Sequence, residues 1–395
     1  MPDEPLPLVD HHCHGVLRSP ADRPAFESLL TESDVPAPPG TTFFDTQLGF
    51  AVRRLCPPLL DLPAHCPPEE YLTRRRELGV REVGERLVRA AGIGEFLVDT
   101  GLPGDLTGPA ELAALGGGTA REIVRLETLA ERVADASEDA EGFLPALDDA
   151  IRTASATAAG FKSIAAYRYG LRLDPAEPGR DQALRAAAAW LDGRTPGTRL
   201  TDPTLHRLLI WSAARTGLPL QLHTGFGDPD LRLQDADPLL LSDLLHALRP
   251  TGCAVALLHG YPFHRAAGYL AHVHPHVYAD VGLSLTYTGT RAAAVLAELL
   301  ELTPFGKLLF STDAYGLPEL YVVGAHLFRE ALDTLTEGWV AAGAWSRADA
   351  DRVARLIGTE NAHRVYGPHG ESAPREPVER SYGAARGPRT GKGSC

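Results

Sequence analysis

The sequence predicts an α/β protein built as a (β/α)8 TIM barrel with a largely helical insertion after its first strand. Three observations carry that prediction. Eight short β-prone apolar runs recur along the chain, Ala- and Leu-rich stretches of helical period stand between them, and histidine or aspartate closes several of the runs. Eight strands alternating with helices favour a closed barrel over an open doubly wound sheet. No G-x-G-x-x-G opens a helix after the first run, so a dinucleotide-binding sheet has no support.

The first run, 6–14, reads LPLVDHHCH. Side chains alternate along a strand, so His12 and His14 point the same way and Cys13 points opposite. Imidazole is costly to bury unless it is hydrogen-bonded or ligates a metal, and two on one face make half of a metal site. The plain alternative is a polar N-terminal segment that happens to be rich in histidine. The stretch 16–94 then breaks the alternation: Pro-rich loops (Pro36-Ala37-Pro38-Pro39, Pro57-Pro58, Pro67-Pro68) precede a charged helix near 69–90. It is expected to lie as a lid over the C-terminal mouth of the barrel, where specificity elements sit.

Strands follow at 95–101 (EFLVDTG), 122–129 (EIVRLETL), 160–168 (GFKSIAAYR), 218–226 (LPLQLHTGF), 254–261 (AVALLHGY), 277–284 (VYADVGLS) and 307–313 (KLLFSTD). Helical patterns cover 181–192, 203–216, 238–248, 290–302 and 319–335. The barrel unit is thus expected over 1–367. Residues 368–395, rich in Gly, Pro, Arg and Ser, are expected to form a disordered tail.

Composition is that of a globular protein, 44% hydrophobic and 23% charged. A net charge of −13 argues against nucleic acid or an anionic membrane as partner and leaves a small-molecule substrate and self-association open. The acidic N-terminus lacks a basic segment followed by an apolar one, and no apolar run approaches membrane-spanning length. Five scattered cysteines (13, 56, 66, 253, 395) fit a reducing cytoplasm. Cys56 and Cys66, with His65 between them, match no common zinc spacing, and free thiols are the simpler expectation.

In a barrel of this kind, chemistry sits at the C-terminal strand ends. Strand 1 ends in His12 and His14, strand 5 in His223, strand 6 in His259 and strand 8 in Asp313. One such histidine is weak evidence; the joint pattern points to a bound metal. It resembles the amidohydrolase superfamily, whose barrels carry H-x-H on strand 1, His on strands 5 and 6 and Asp on strand 8. The segments FKSIAAYRYGL, LHTGFGDPDLRLQDADPLLL, LLHGYPFHRAAGYLAHVHPHVYADVGLS and FSTDAYGLPELY are similar to the amidohydrolase-2 branch, and more narrowly to the amidohydrolase region of the fluG-like, glutamine-synthetase-fused group. The resemblance runs from about residue 6 to GTENAHRVYG at 358–367, without the synthetase-like part.

The resemblance implies a divalent metal held by His12, His14, His223, His259 and Asp313, and it raises the role of Lys162. In two-metal relatives a strand-4 lysine is carboxylated and bridges the ions; in others it stays an amine. One or two ions are therefore both open, with zinc favoured by ligand softness. Asp313 is the expected proton acceptor and His259 a polarising group for the scissile carbonyl. Arg168, read as six residues along one strand from Lys162, is a candidate clamp for a substrate carboxylate, and a surface charge otherwise. Tyr261, His264, Asp228 and Asp280 are further candidates for substrate contacts, each with the alternative of orienting a ligand or closing a loop. Metal-dependent hydrolysis of an amide or amidine C–N bond in a small anionic substrate is the first expectation. Decarboxylation or isomerisation at the same site is the second, and a non-catalytic binding barrel the third.

Overall fold

The computed structural model describes residues 6–367; the expected tail at 368–395 lies outside the described residues. Eight parallel strands follow one another around a single sheet: β1 (Leu8–Cys13), β2 (Ile93–Asp99), β3 (Thr119–Arg125), β4 (Gly160–Ser163), β5 (Leu220–Thr224), β6 (Val255–His259), β7 (Val277–Asp280) and β8 (Leu308–Leu309). The extended chain after β8 meets β1 and nearly closes the ring. His11 N–H donates to the Phe310 carbonyl at 3.2 Å, Asp313 N–H to that of His12 at 3.0 Å, and His14 N–H to that of Ala314 at 2.9 Å. The fold is the expected (β/α)8 barrel.

Strand alternation divides the apolar residues between two cores. Leu8, Phe161, Leu220, Leu222, Val255 and Leu257 pack outward against the helices. Val9, Leu97, Ile123, Ala256 and Leu309 fill the barrel interior, where Val365 and Tyr366 of the closing helix Asn361–Tyr366 join them. This inner cluster plugs one end, so the other end alone is left for chemistry.

Helix boundaries follow local signals. Asp202 caps Pro203–Arg215, its carboxylate accepting from the Thr204 and Leu205 amides at 2.7 and 3.0 Å, with Pro203 at the first helical position. Three expected strands are shorter than read. β4 stops at Ser163, whose hydroxyl oxygen accepts from Ala165 N–H at 3.2 Å and starts the short helix Ala165–Arg168. β3 gives way at Leu126 to the helix Leu126–Asp135, and β7 at Gly282 to Gly282–Thr288. Apolar runs that continue past a strand read alike whether strand or buried helix.

The insertion contains α1 (Arg23–Ser28), α2 (Gln47–Leu55) and α3 (Pro68–Ala90). α3 breaks at Gly79, whose φ of 80° only glycine adopts without strain. α3 packs on the helices Pro109–Gly116 and Pro318–Ala341, so it belongs to the outer ring of the barrel. The part that reaches the mouth runs from the last residue of α1, Ser28, to Asp34. No helix among the described residues is long and apolar enough to cross a membrane.

Candidate metal centre

The site begins with an irregularity in β1. Between Asp10 and Cys13 the strand advances one residue more than β2, so His11 and His12 together oppose Leu97. Both imidazoles therefore enter the barrel. His11 descends into the interior, with Nε2 2.7 Å from Asp280 and Nδ1 3.1 Å from the Tyr366 hydroxyl. His12 turns toward the mouth, where its Nε2 lies 3.0 Å from Asp313 Oδ1. Beyond the bulge alternation resumes: Cys13 is buried outside the barrel and His14 points in, its Nε2 3.4 Å from the same Asp313 oxygen.

Two residues reach the site through left-handed backbone. His259 has φ 67° and Asp313 φ 51°. Such conformations are sparse for non-glycine residues and persist where the surroundings over-determine them. Val255 and Leu257 face the outer core, so regular alternation would send His259 outward as well. Its turn instead brings Nε2 to 3.8 Å from Asp313 Oδ2. Asp280 holds this turn by accepting from His259 N–H at 2.9 Å and from the Ser311 hydroxyl at 2.6 Å. Asp10 performs the same service for Asp313, accepting from Thr312 N–H at 3.0 Å and the Thr312 hydroxyl at 2.5 Å.

His223, at the end of β5, completes the ring of imidazoles, with its centroid 4.7 Å from that of His259 and 4.5 Å from the Tyr167 ring. Lys162 projects from β4 with Nζ 2.9 Å from His12 Nε2 and 3.2 Å from Asp99 Oδ2. Asp99 in turn takes Arg125 through Nη2 at 2.6 Å and Nε at 3.1 Å. Its carbonyl accepts from His14 Nδ1 at 2.9 Å, which leaves His14 Nε2 as the lone-pair nitrogen facing Asp313. Asp99 and Arg125 escaped the sequence reading, although each ends its strand just as the histidines do.

These donors fit a divalent cation. His12, His14 and Asp313 offer ligand atoms within 4.8 Å of one another and form the one such group among the described residues. His223 Nε2 and both ring nitrogens of His259 are buried with no hydrogen-bond partner. Imidazole must be neutral to ligate. Burial, with Lys162 adding to it, pushes His12 down to about 3. Burial likewise lowers His223 and His259. Burial alone would raise Asp313, but His259, His12 and His14 hold its carboxyl well below the usual carboxylate range.

A cavity of about 470 Å³ opens above this group, and His14, Lys162, His223, His259, Asp313 and Arg168 all face it. Arg168 arrives from the helical turn after β4, because β4 is too short to carry it. Its Nη2 stands 3.9 Å from Glu131, and its Nε is buried without a partner. Tyr261 and His264 are outside the cavity lining. They stack on each other at 5.5 Å, and His264 Nε2 is 2.7 Å from Glu298, which turns the pair toward the helix behind β7. Cys56 and Cys66 are buried free thiols and share no metal group with His65.

The family model for amidohydrolases matches residues 127–367. Over 404 aligned positions the chain is 28% identical to Protein fluG of Emericella nidulans, covering 91% of this chain and 45% of that protein. The chain thus spans about half the length of this curated relative. It is similar throughout to a candidate metal-dependent hydrolase from Lactobacillus casei, at 30% identity and a TM-score of 0.78 over 91% of this chain and 95% of the other. A uronate isomerase from Bacillus halodurans shares the fold at 13% identity and a TM-score of 0.60, over 92% and 93% of the two chains. With more than half of its length matched by the family model, the chain belongs to the amidohydrolase family.

Proposed function

We propose that this chain is a metal-dependent hydrolase that cleaves a C–N bond, an amide or amidine, in a small substrate bearing an anionic group. The observation that carries the reading is Asp313, a single carboxylate within 3.0 to 3.8 Å of imidazoles from two different strands at the floor of a cavity. A divalent ion bound in such a site, zinc by the softness of the donors, would supply Lewis-acid polarisation and lower the pKa of water toward neutrality. His12, His14 and Asp313 would hold it, with His223 and His259 beside them.

The chain's own groups supply the rest. Asp313, ionised at neutral pH, accepts a proton from the attacking water at Oδ2, the oxygen turned toward His259, and passes it to the departing nitrogen. Neutral His259 has an N–H with no other partner and donates it to the substrate carbonyl oxygen as charge develops there. Arg168 takes the anionic group, its Nε free for that purpose. Lys162 acts as a free, uncarboxylated ammonium, with Asp99 3.2 Å away as its counter-charge. This supports one ion over two.

Metal analysis of the purified protein, beside a panel of γ-glutamyl and N-acyl amides followed by ammonia or amine release, tests the reading. Asp313→Asn should lose about 10²–10⁴-fold in rate with the fold retained, because an amide cannot take the proton. A metal-free protein of undiminished activity would overturn it, and release of CO2 without amine would move the chemistry to decarboxylation.

A further inference from the structure

The insertion brings to the cavity an acidic side chain that the metal chemistry leaves unused. Glu32, on the stretch after α1, lines the cavity together with Tyr287, Asp228 and Asp313. Most lining charges are already committed. Arg125 and Lys162 pair with Asp99 at 2.6 and 3.2 Å, and Arg199 pairs with Asp230 at 2.6 Å. Glu32 and Asp228 have no basic group within 4.0 Å among the described residues. Glu32 shares the cavity wall instead with Tyr287 and the acidic Asp313 and Asp228. Burial first, and those like charges after it, push its carboxyl up to about 7. Arg168 is the mirror case: a cation whose nearest carboxylate, Glu131, stands 3.9 Å off and whose Nε has no partner.

We propose that the cavity selects a zwitterionic substrate, its anionic group on Arg168 and an ammonium on Glu32 and the Tyr287 hydroxyl. An ammonium brings three donors and no acceptor, and a carboxylate with a phenol oxygen beside it offers the matching acceptors. Charge-assisted bonds of this kind gain strength where water is excluded. The same pair discriminates: an N-acylated analogue brings no cation to Glu32 and leaves its carboxylate unpaired. A substrate built from an amino acid, with the scissile C–N bond between its two charged ends or beside one of them, meets this requirement.

The inference rests on reading the cavity as the substrate site, and its test uses binding rather than turnover, so that failure of the hydrolytic reading is seen separately. L-Glutamate, 4-aminobutyrate and 6-aminohexanoate are titrated calorimetrically into the metal-loaded full chain, each against its N-acetyl form. At least one free amine should bind roughly tenfold or more tightly than its acetylated partner. Glu32→Gln should erase that difference and Glu32→Lys should reverse it, with metal content unchanged in both. Absence of any preference in the unsubstituted chain, absence of measurable binding, or a preference that survives Glu32→Gln would each overturn the proposal.

Discussion

Replacing Asp99 by Asn probes the charge balance under the metal centre. The Asp99 carboxylate, 1% exposed, is the counter-charge of Arg125 and Lys162, which are 7% and 3% exposed. Asparagine keeps the shape and loses the charge, so two cations remain buried with no anion between them. Removing one partner of a buried pair typically costs 3–5 kcal/mol, and Asp99→Asn should lower the unfolding free energy by about that amount. Removing the surplus cation should restore part of it: Asp99→Asn with Lys162→Met should be more stable than the sum of the single losses predicts, with a coupling of roughly 1–3 kcal/mol. The exposed pair Arg18–Glu111, 42% and 51% exposed, is the control, and Arg18→Ala should change stability far less than Asp99→Asn does. Urea unfolding followed by circular dichroism measures all four. Losses that simply add, or an Asp99→Asn loss no larger than that of the surface control, would refute the reasoning.

The His12 imidazole, pushed down to about 3 by burial and Lys162, stays neutral in the folded chain while its unfolded counterpart protonates below about 6.5. The unfolded state then binds the extra proton, so metal-free protein should lose roughly 1 kcal/mol of stability per pH unit from that residue as pH falls from 6.5 toward 3. His12→Gln should flatten the profile of urea midpoint against pH, and an unaltered slope would contradict the assignment. Lys162→Ala should keep its full metal content with or without bicarbonate and change mainly substrate binding; loss of an ion, partly rescued by short carboxylic acids, would instead reveal a carboxylated lysine. Replacing Ser28–Asp34 by a Gly/Ser linker should shift KM and substrate range while metal binding holds, and unchanged kinetics would deny that stretch a part in substrate choice.

Much of this protein was legible in its residue order. Strand number, the positions of the main helices and the placement of His12, His14, His223, His259 and Asp313 at strand ends all follow from local periodicity, which is set by the burial of each side chain. The insertion was visible as a break in that period. What the sequence could not determine depends on pairing between distant segments. The bulge that sends His11 and His12 both inward exists because β1 advances one residue more than β2, and no period within β1 encodes its partner's pace. The left-handed turn that aims His259 is held by Asp280 on the neighbouring strand, and Asp99 becomes the counter-charge of Lys162 only once β2, β3 and β4 lie side by side. Tyr261 and His264, two and five residues beyond His259, looked close to the site in sequence, yet the turn after β6 carries them toward Glu298. Sequence placed five ligand-type side chains at strand ends; closure of the ring decided which residues reach the mouth and which of them touch, because contact there is made between strands and not along them.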